Sequence, residues 1–249
     1  MNSKLAVVIM AGGLGKRMNS ELPKVLHCIK NKPMLVWVIE QALLLQPFKI
    51  LVIVGKYKDI IIDTLNNYID TTNIQFVYQA EPLGTGHAIQ CCVSELLNIE
   101  HSNTLILSGD VPLLQFNTLK NFLDLELDDC KVKLMTTILT NPTGYGRIIE
   151  NTDNVFTKIV EEKDCSYEEK LVKKVNCGIY AFNTQLLCKY IVQLTNNNAQ
   201  GEYYLTDIIE LIKNNELIVI NIFDIPLNKQ YEIMGVNTIE QLNELSTFI

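Results

Sequence analysis

Leu5-Ala6-Val7-Val8-Ile9-Met10-Ala11-Gly12-Gly13-Leu14-Gly15 is the stretch on which the fold turns. Its first six residues are an apolar, β-rich run with no alternating polar positions, the pattern of a strand buried on both faces, and the run empties into a glycine loop. A fully buried strand followed at once by a tight glycine turn predicts the start of a parallel α/β sheet.

Outward from this strand, helical and strand-like segments alternate. Pro33 to Leu45 has helical spacing with proline at its start, Ile50 to Val54 is a second buried strand, Asp59 to Tyr68 is helical, and Ile74 to Tyr78 is a third strand. Gly86 to Leu97 predicts a helix opened by a glycine turn, Thr104 to Leu107 a fourth strand closed by Ser108-Gly109-Asp110, and Asn117 to Leu127 a further helix. The alternation predicts an α/β class fold: a Rossmann-like, mostly parallel twisted sheet with helices on both faces. After about residue 130 the pattern shifts toward strands, at Val132 to Leu139, Gly146 to Glu150, Val155 to Glu161, Lys174 to Phe182 and Leu217 to Ile222. Helices are expected at Thr184 to Leu194, Tyr204 to Lys213 and Thr238 to Leu245. This second half is expected to extend the sheet and add a small β subregion as a wall beside the ligand. With no internal repeat and no linker beyond Asn196-Asn197-Asn198, residues 1–249 are expected to form one domain with halves at about 1–130 and 131–249.

The chain has 249 residues, 48% hydrophobic and 20% charged, enough to bury a full core. Its 21 Lys+Arg and 28 Asp+Glu give a formal net charge of −7, with no block of like charges, which argues against a broad nucleic-acid-binding face. A few cations gathered in one pocket still suffice for a small phosphorylated ligand. Seven cysteines, an odd number without Cys-x-x-Cys pairs, and no signal peptide predict a reducing, cytoplasmic setting. The three histidines lack zinc-ligand spacing. Apolar runs such as Ile50 to Val54 fall far short of the roughly 18 residues a membrane span needs.

In an open parallel sheet ligands bind beyond the carboxyl ends of the strands, and four segments occupy such places. In Ala11 to Met18 the glycines let backbone N–H groups approach a phosphate, while Lys16 and Arg17 add cations. The spacing is neither GxGxxG nor a Walker loop, so an ordinary strand-to-helix turn fits these residues equally well. Leu22-Pro23-Lys24 follows, with Pro23 restraining the backbone that carries Lys24; a solvated lysine is the plainer alternative. Asp110, after a buried strand and Gly109, suits Mg²⁺, which takes one or two carboxylates plus phosphate oxygens and waters; a capping role for Asp110 fits as well. In Gln79 to Ala88, Gln79 has a donor and an acceptor for a nucleobase edge, and Gly84 and Gly86 permit close backbone approach. His87 is expected to be a packed helix residue rather than a catalyst.

These pieces, in this order, resemble the nucleotidyltransferases that activate sugar phosphates. The resemblance spans nearly the whole chain and narrows to the N-acetylglucosamine-1-phosphate uridylyltransferase family. It is carried by LPKVLH (Leu22 to His27), QAEPLGTGHA (Gln79 to Ala88), GDVPLL (Gly109 to Leu114), NPTGYGRI (Asn141 to Ile148), IVEEKD (Ile159 to Asp164), VNCGIY (Val175 to Tyr180), NNNAQGEYYLTDII (Asn196 to Ile209) and GVN (Gly235 to Asn237). The glycine loop alone fits many sugar nucleotidyltransferases, whereas the QGEYYLTD block and the GYGRI segment point to this family.

The resemblance implies the nucleotide-diphospho-sugar transferase fold and transfer of UMP from UTP to N-acetylglucosamine 1-phosphate, with Mg²⁺ as cofactor and without a nucleic-acid or membrane partner. By the same resemblance Ala11, Gly12, Gly13 and Gly109 would border the nucleotide, Arg17 and Lys24 the phosphate chain, and Gln79, Gly84 and Thr85 the uracil. Asp110 and Asn237 would hold the metal, with Arg17, Lys24 and Asp110 as the catalytic set, and Gly146, Glu161 and Asn176 would meet the acetamido sugar. Five positions depart from the family pattern: Met10 stands for a usual leucine, Leu14 occupies a position that often holds lysine, Lys16 replaces a common threonine, Ser108 a frequent tyrosine and Cys177 a common threonine. Bacterial relatives commonly continue into an acetyltransferase β-helix of hexapeptide repeats. No such repeats occur here, so a single-activity uridylyltransferase supplied with ready-acetylated sugar phosphate is expected. Two other activities remain open: transfer to another sugar 1-phosphate, and nucleotide-sugar binding without turnover. The glycine spacing disfavours a Rossmann oxidoreductase.

Overall fold

The apolar run forms β1 (Lys4–Met10), whose side chains alternate between two cores: Ala6 and Val8 face one, Val7 and Ile9 the other, and all four are fully buried. Because both faces are covered, no polar residue is needed between them. The computed structural model describes residues 4–13, 15–18, 20–124, 131–216 and 218–249.

After β1 come the small hairpin β2 (Cys28–Ile29) and β3 (Lys32–Pro33), then α1 (Met34–Leu44), β4 (Lys49–Val54), α2 (Lys58–Leu65), β5 (Ile74–Tyr78), α3 (Thr85–Gln90), α4 (Val93–Leu97), β6 (Ser102–Ser108) and α5 (Phe116–Asp124). The second half holds β7 (Val132–Ile138), β8 (Arg147–Glu150), β9 (Phe156–Val160), α6 (Tyr167–Lys170), β10 (Lys174–Asn183), α7 (Thr184–Ile191), α8 (Asp207–Glu216), β11 (Asn221–Asp224) and α9 (Ile239–Leu245). The main sheet runs β11-β7-β10-β6-β1-β4-β5, with β8 and β9 branching from β10. β6, β1, β4 and β5 are mutually parallel, as the alternation predicts, while β10 runs antiparallel to both β6 and β7. No helix among the described residues is long and apolar enough to cross a membrane.

The chain steps from β1 outward through β4 to β5, then returns to place β6 on the other side of β1. The sheet order therefore reverses between β1 and β6, and a crevice opens there at the carboxyl ends of the strands. The glycine loop leaves β1 at one side of this crevice, and Asp110 follows β6 at the other.

Several elements differ from the sequence expectation for identifiable reasons. The helix expected from Gly86 to Leu97 is two, α3 and α4, because the Cys92 N–H turns to the Ile89 carbonyl at 2.9 Å, a tighter 3₁₀-type bond. The helix expected from Tyr204 begins at Asp207, since Tyr203 to Leu205 are pinned in a strap: Gly86 N–H donates to Tyr203 O at 2.7 Å, Tyr203 N–H to Leu83 O at 2.8 Å, and Leu205 N–H to Thr85 Oγ1 at 3.0 Å. The last strand lies at Asn221–Asp224 rather than Leu217 to Ile222, paired in parallel with β7. Leu217, the end of the helix expected to reach Leu127, Cys130, Leu14 and the side chain of Lys16 lie outside the described residues. The departures expected at positions 14 and 16 therefore have no structural account.

A third, smaller core joins Met18, Ile29 and Met34 to Leu113, Val236, Leu242 and Leu245. It fastens α9 against the segment after the glycine loop.

Candidate active site

Four polar side chains from distant parts of the chain converge at the crevice. Lys24 sits on a 3₁₀ turn (Lys24–Leu26) that starts at Pro23, and its ammonium bonds to Asp110 Oδ2 and, at 3.1 Å, to Asn237 Oδ1. Arg17 Nη2 donates to the same Asn237 oxygen at 2.9 Å. Two cationic donors on one atom identify it as the amide oxygen rather than the nitrogen. The Asn237 backbone is held by Gln241 Oε1, which accepts its N–H at 2.7 Å, and Val236 N–H reaches Asp110 O at 2.9 Å.

Asp110 is further oriented by the Ser108 hydroxyl, which donates to Oδ1 at 2.7 Å. Ser108 stands where the resembling family often has tyrosine, and here its short side chain serves the acid directly. Burial opposes ionisation of Asp110, but the Lys24 ammonium and the hydroxyl outweigh it and hold the carboxyl below its ordinary range. Asp110 is thus a charged, preorganised hydrogen-bond acceptor at neutral pH.

Asp110 lies where two clefts meet. The first, of about 540 Å³, is lined by Gly12, Gly13, Arg17, Lys24, Gln79 and Gly84, among others. The second, of about 220 Å³, is lined by Tyr145, Gly146, Glu161, Asn176, Cys177 and Thr206, among others. Met10, Thr85, Ser108 and Asp110 line both.

In the first cleft Gln79 is buried; its Nε2 donates to Gly84 O at 3.2 Å and lies 3.1 Å from His87 Nδ1. Those contacts turn Gln79 Oε1 toward Gly12, where a Cβ would stand only 3.2 Å from it. Gly84 has φ +113°, and a Cβ there would come within 2.6 Å of Tyr203 O, so both conformation and space require glycine. His87 lies on α3 with its ring centroid 6.3 Å from that of Tyr203, and it also steadies Gln79.

In the second cleft β10 shifts register between Asn176 and Tyr180, with Gly178 at φ +72°. The bulge presents Asn176, whose Nδ2 donates to Tyr180 OH at 2.6 Å and whose Oδ1 accepts from Gly178 N–H at 3.0 Å. Glu161 accepts from Thr206 Oγ1 at 2.9 Å. Burial, helped by nearby Asp164 and Glu202, raises the Glu161 carboxyl above its ordinary range despite that hydrogen bond. Gly146 lies against this carboxylate, where a Cβ would be 3.6 Å from Glu161 Oε1, and its carbonyl accepts from Asn176 N–H at 2.9 Å.

Twelve of the residues singled out from sequence fall at these clefts or on the polar cluster between them. Two have other surroundings. Ala11 is buried and donates its N–H to Ile53 O at 2.9 Å, and Gly109 donates to Met10 O at 2.9 Å with its Cα facing Leu35 and Val25. Neither is among the residues lining the two clefts, although each adjoins residues that are. Residues that sequence reasoning did not mark as site positions include Tyr145, Thr206 and Glu202. All three lie inside the quoted GYGRI and QGEYYLTD segments, which were the available signal.

The sequence profile of the family described as "Nucleotidyl transferase" matches residues 6–224. A protein named "Probable UDP-N-acetylglucosamine pyrophosphorylase" from Acanthamoeba polyphaga mimivirus is 44% identical over 248 residues, which cover 99% of this chain and 97% of that protein. Two proteins named "Bifunctional protein GlmU" are similar as well. The one from Hydrogenovibrio crunogenus is 43% identical over 97% of this chain and 51% of its own length, and the one from Caldanaerobacter subterraneus subsp. tengcongensis is 39% identical over 96% and 50%. The chain thus spans nearly all of the viral relative but about half the length of the bifunctional ones. Among solved structures, HddC from Yersinia pseudotuberculosis shares the fold, with a TM-score of 0.69 at 21% identity over 98% of both chains. A crevice at the sheet's reversal point, cations facing a half-buried aspartate, and a family match running from β1 to β11 lead to one conclusion: the chain belongs to the nucleotidyl transferase family.

Proposed function

We propose that the protein transfers UMP from UTP to N-acetylglucosamine 1-phosphate, releasing pyrophosphate and forming UDP-N-acetylglucosamine. The observation that carries this is the meeting of two chemically different clefts at Asp110. The larger has glycines, Gln79 and two cations, suited to a nucleoside triphosphate, and the smaller has a carboxylate and an amide, suited to sugar hydroxyls.

A sugar phosphate near neutral pH is already an anionic nucleophile, so the chemistry needs positioning and charge stabilisation more than a base. One of its phosphate oxygens bonds to the α-phosphorus while the bond from that phosphorus to the β-phosphate bridge breaks, and the electron pair leaves on pyrophosphate. Gln79 Oε1 accepts from a ring N–H of the base, and the Gly12-Gly13 backbone admits the ribose and phosphates. Arg17 and Lys24 face the triphosphate and stabilise the charge that grows on the leaving group. Glu161 and Asn176 accept and donate hydrogen bonds to the sugar.

Mg²⁺ fits the site as the metal. One cation, the Lys24 ammonium, touches both Asp110 Oδ2 and Asn237 Oδ1, so these hard oxygens already converge on a point a cation can fill. When bound, such an ion neutralises phosphate charge and polarises a phosphoryl oxygen. In this reading Asp110 and Asn237 hold it, with most of the nucleotide cleft built from residues up to about 130 and most of the sugar cleft from later ones.

Phosphorus NMR of protein, UTP, Mg²⁺ and a panel of sugar 1-phosphates tests the proposal. UDP-sugar and pyrophosphate resonances should grow fastest with N-acetylglucosamine 1-phosphate and be absent when either substrate is omitted. Turnover confined to another sugar phosphate would overturn the sugar assignment, and no turnover with any would overturn the activity.

A further inference from the structure

Behind the loop that walls the sugar-side cleft lies a charge pair to which the reaction above gives no part. Arg147, the first residue of β8, is 1% exposed. Its Nη1 donates to the Tyr145 carbonyl, and its Nη2 to Glu162 Oε2 at 2.6 Å. The same carboxylate oxygen accepts from Gly144 N–H at 3.2 Å. Arg147 Nε is buried without a partner, so the guanidinium depends on these acceptors and on Glu162 for its charge.

Together the two side chains close a ring of hydrogen bonds around Gly144-Tyr145-Gly146. The loop needs such a hold. Gly144 has φ +88° with open space where a Cβ would be, so packing does not fix its backbone and its own freedom is large. Gly144, Tyr145, Gly146 and Glu161 line the cleft, whereas Arg147 and Glu162 do not. The pairing of Arg147 with Val160, carried on by one residue, sets Gly146 opposite Glu161. Residues 146 and 161 thus face the cleft while their neighbours 147 and 162 are tied behind it.

On the basis of the function proposed above, we propose that Arg147 and Glu162 are a positioning pair that sets the affinity for the sugar phosphate by fixing the Gly144–Gly146 loop. They touch no substrate and have no contact with the nucleotide cleft, so their effect is confined to one of the two substrates.

The test uses the full chain and three variants: Glu162→Ala, the double variant Arg147→Met/Glu162→Gln, which leaves no buried charge unpaired, and Glu162→Gln alone, whose amide oxygen can still accept from Arg147 and Gly144. KM for each substrate and amide hydrogen exchange at residues 144–146 are measured. Glu162→Ala and the double variant should raise KM for N-acetylglucosamine 1-phosphate by about tenfold or more, the scale of a misplaced binding wall, with KM for UTP within about twofold and loop exchange faster. Glu162→Gln should restore most of the affinity. Equal rises in both KM values, unchanged loop exchange in Glu162→Ala, or a Glu162→Gln variant as impaired as Glu162→Ala would overturn the proposal. If the wild type gave no turnover, the functional reading would fail by itself, and loop exchange in Glu162→Ala would still decide whether the pair fixes the loop.

Discussion

Glu161 shows how the site sets chemistry against stability. Its carboxyl is raised above the ordinary value of 4.5 by burial, with Asp164 and Glu202 adding to the effect. An acid whose folded pKa is raised holds its proton more tightly in the fold than in the unfolded chain. Its contribution to stability is therefore present below the ordinary glutamate value and is lost as pH rises through the raised one. Glu161→Gln keeps an oxygen for the Thr206 hydroxyl and removes the buried charge. Thermal melts should show the variant more stable than wild type at pH 8 and equal to it near pH 4, while its KM for the sugar phosphate rises more than its KM for UTP. An unchanged stability difference across that range would mean the carboxyl titrates normally.

At the scale of elements, the strap at Tyr203 to Leu205 links the two halves. It bonds to the loop that carries Gly84 and Thr85 on one side, and on the other leads directly into Thr206, the partner of Glu161. Gly84→Ala would place a methyl 2.6 Å from Tyr203 O in a left-handed conformation. The expected cost is roughly 1–3 kcal/mol of stability by urea unfolding, together with weaker UTP binding by calorimetry, because the loop must pull away from the strap. The loop is visible in the sequence through its glycines, whereas the strap reads there as the first turn of a helix. Its apolar spacing is helical, and the tertiary bonds to Leu83, Thr85 and Gly86 keep it out of the helix. The same limit explains Ala11 and Gly109, which sit in site motifs but direct their N–H groups to neighbouring strands. The strands were legible because burial on both faces leaves long apolar runs. The β10 bulge was not, since one positive-φ glycine at Gly178 carries it. Alternation in the first half likewise announced the parallel strands, while the antiparallel run of β10 depends on a long return of the chain that no local pattern records.

For the molecule as a whole, the polar cluster at the crevice depends on segments more than 200 residues apart, as in the Arg17 to Asn237 bond. The third core supplies the physical tie, because Met18 follows Arg17 and Val236 precedes Asn237 within it. Leu245→Ala, at a position 1% exposed, should cost about 2–5 kcal/mol in urea unfolding and raise KM for UTP by loosening that bond. A loss of stability with KM for UTP unchanged would show that α9 is scaffold alone. The central claim is that one half-buried carboxylate, Asp110, serves both clefts at once. Pre-steady-state pyrophosphate release by Asp110→Asn, with UTP, sugar phosphate and Mg²⁺ all saturating, tests it most directly. The account predicts a rate lower by about 10²-fold or more, the scale of losing a preorganised charge stabiliser, in a protein that still melts cooperatively and still binds UTP. Release at close to the wild-type rate would contradict it.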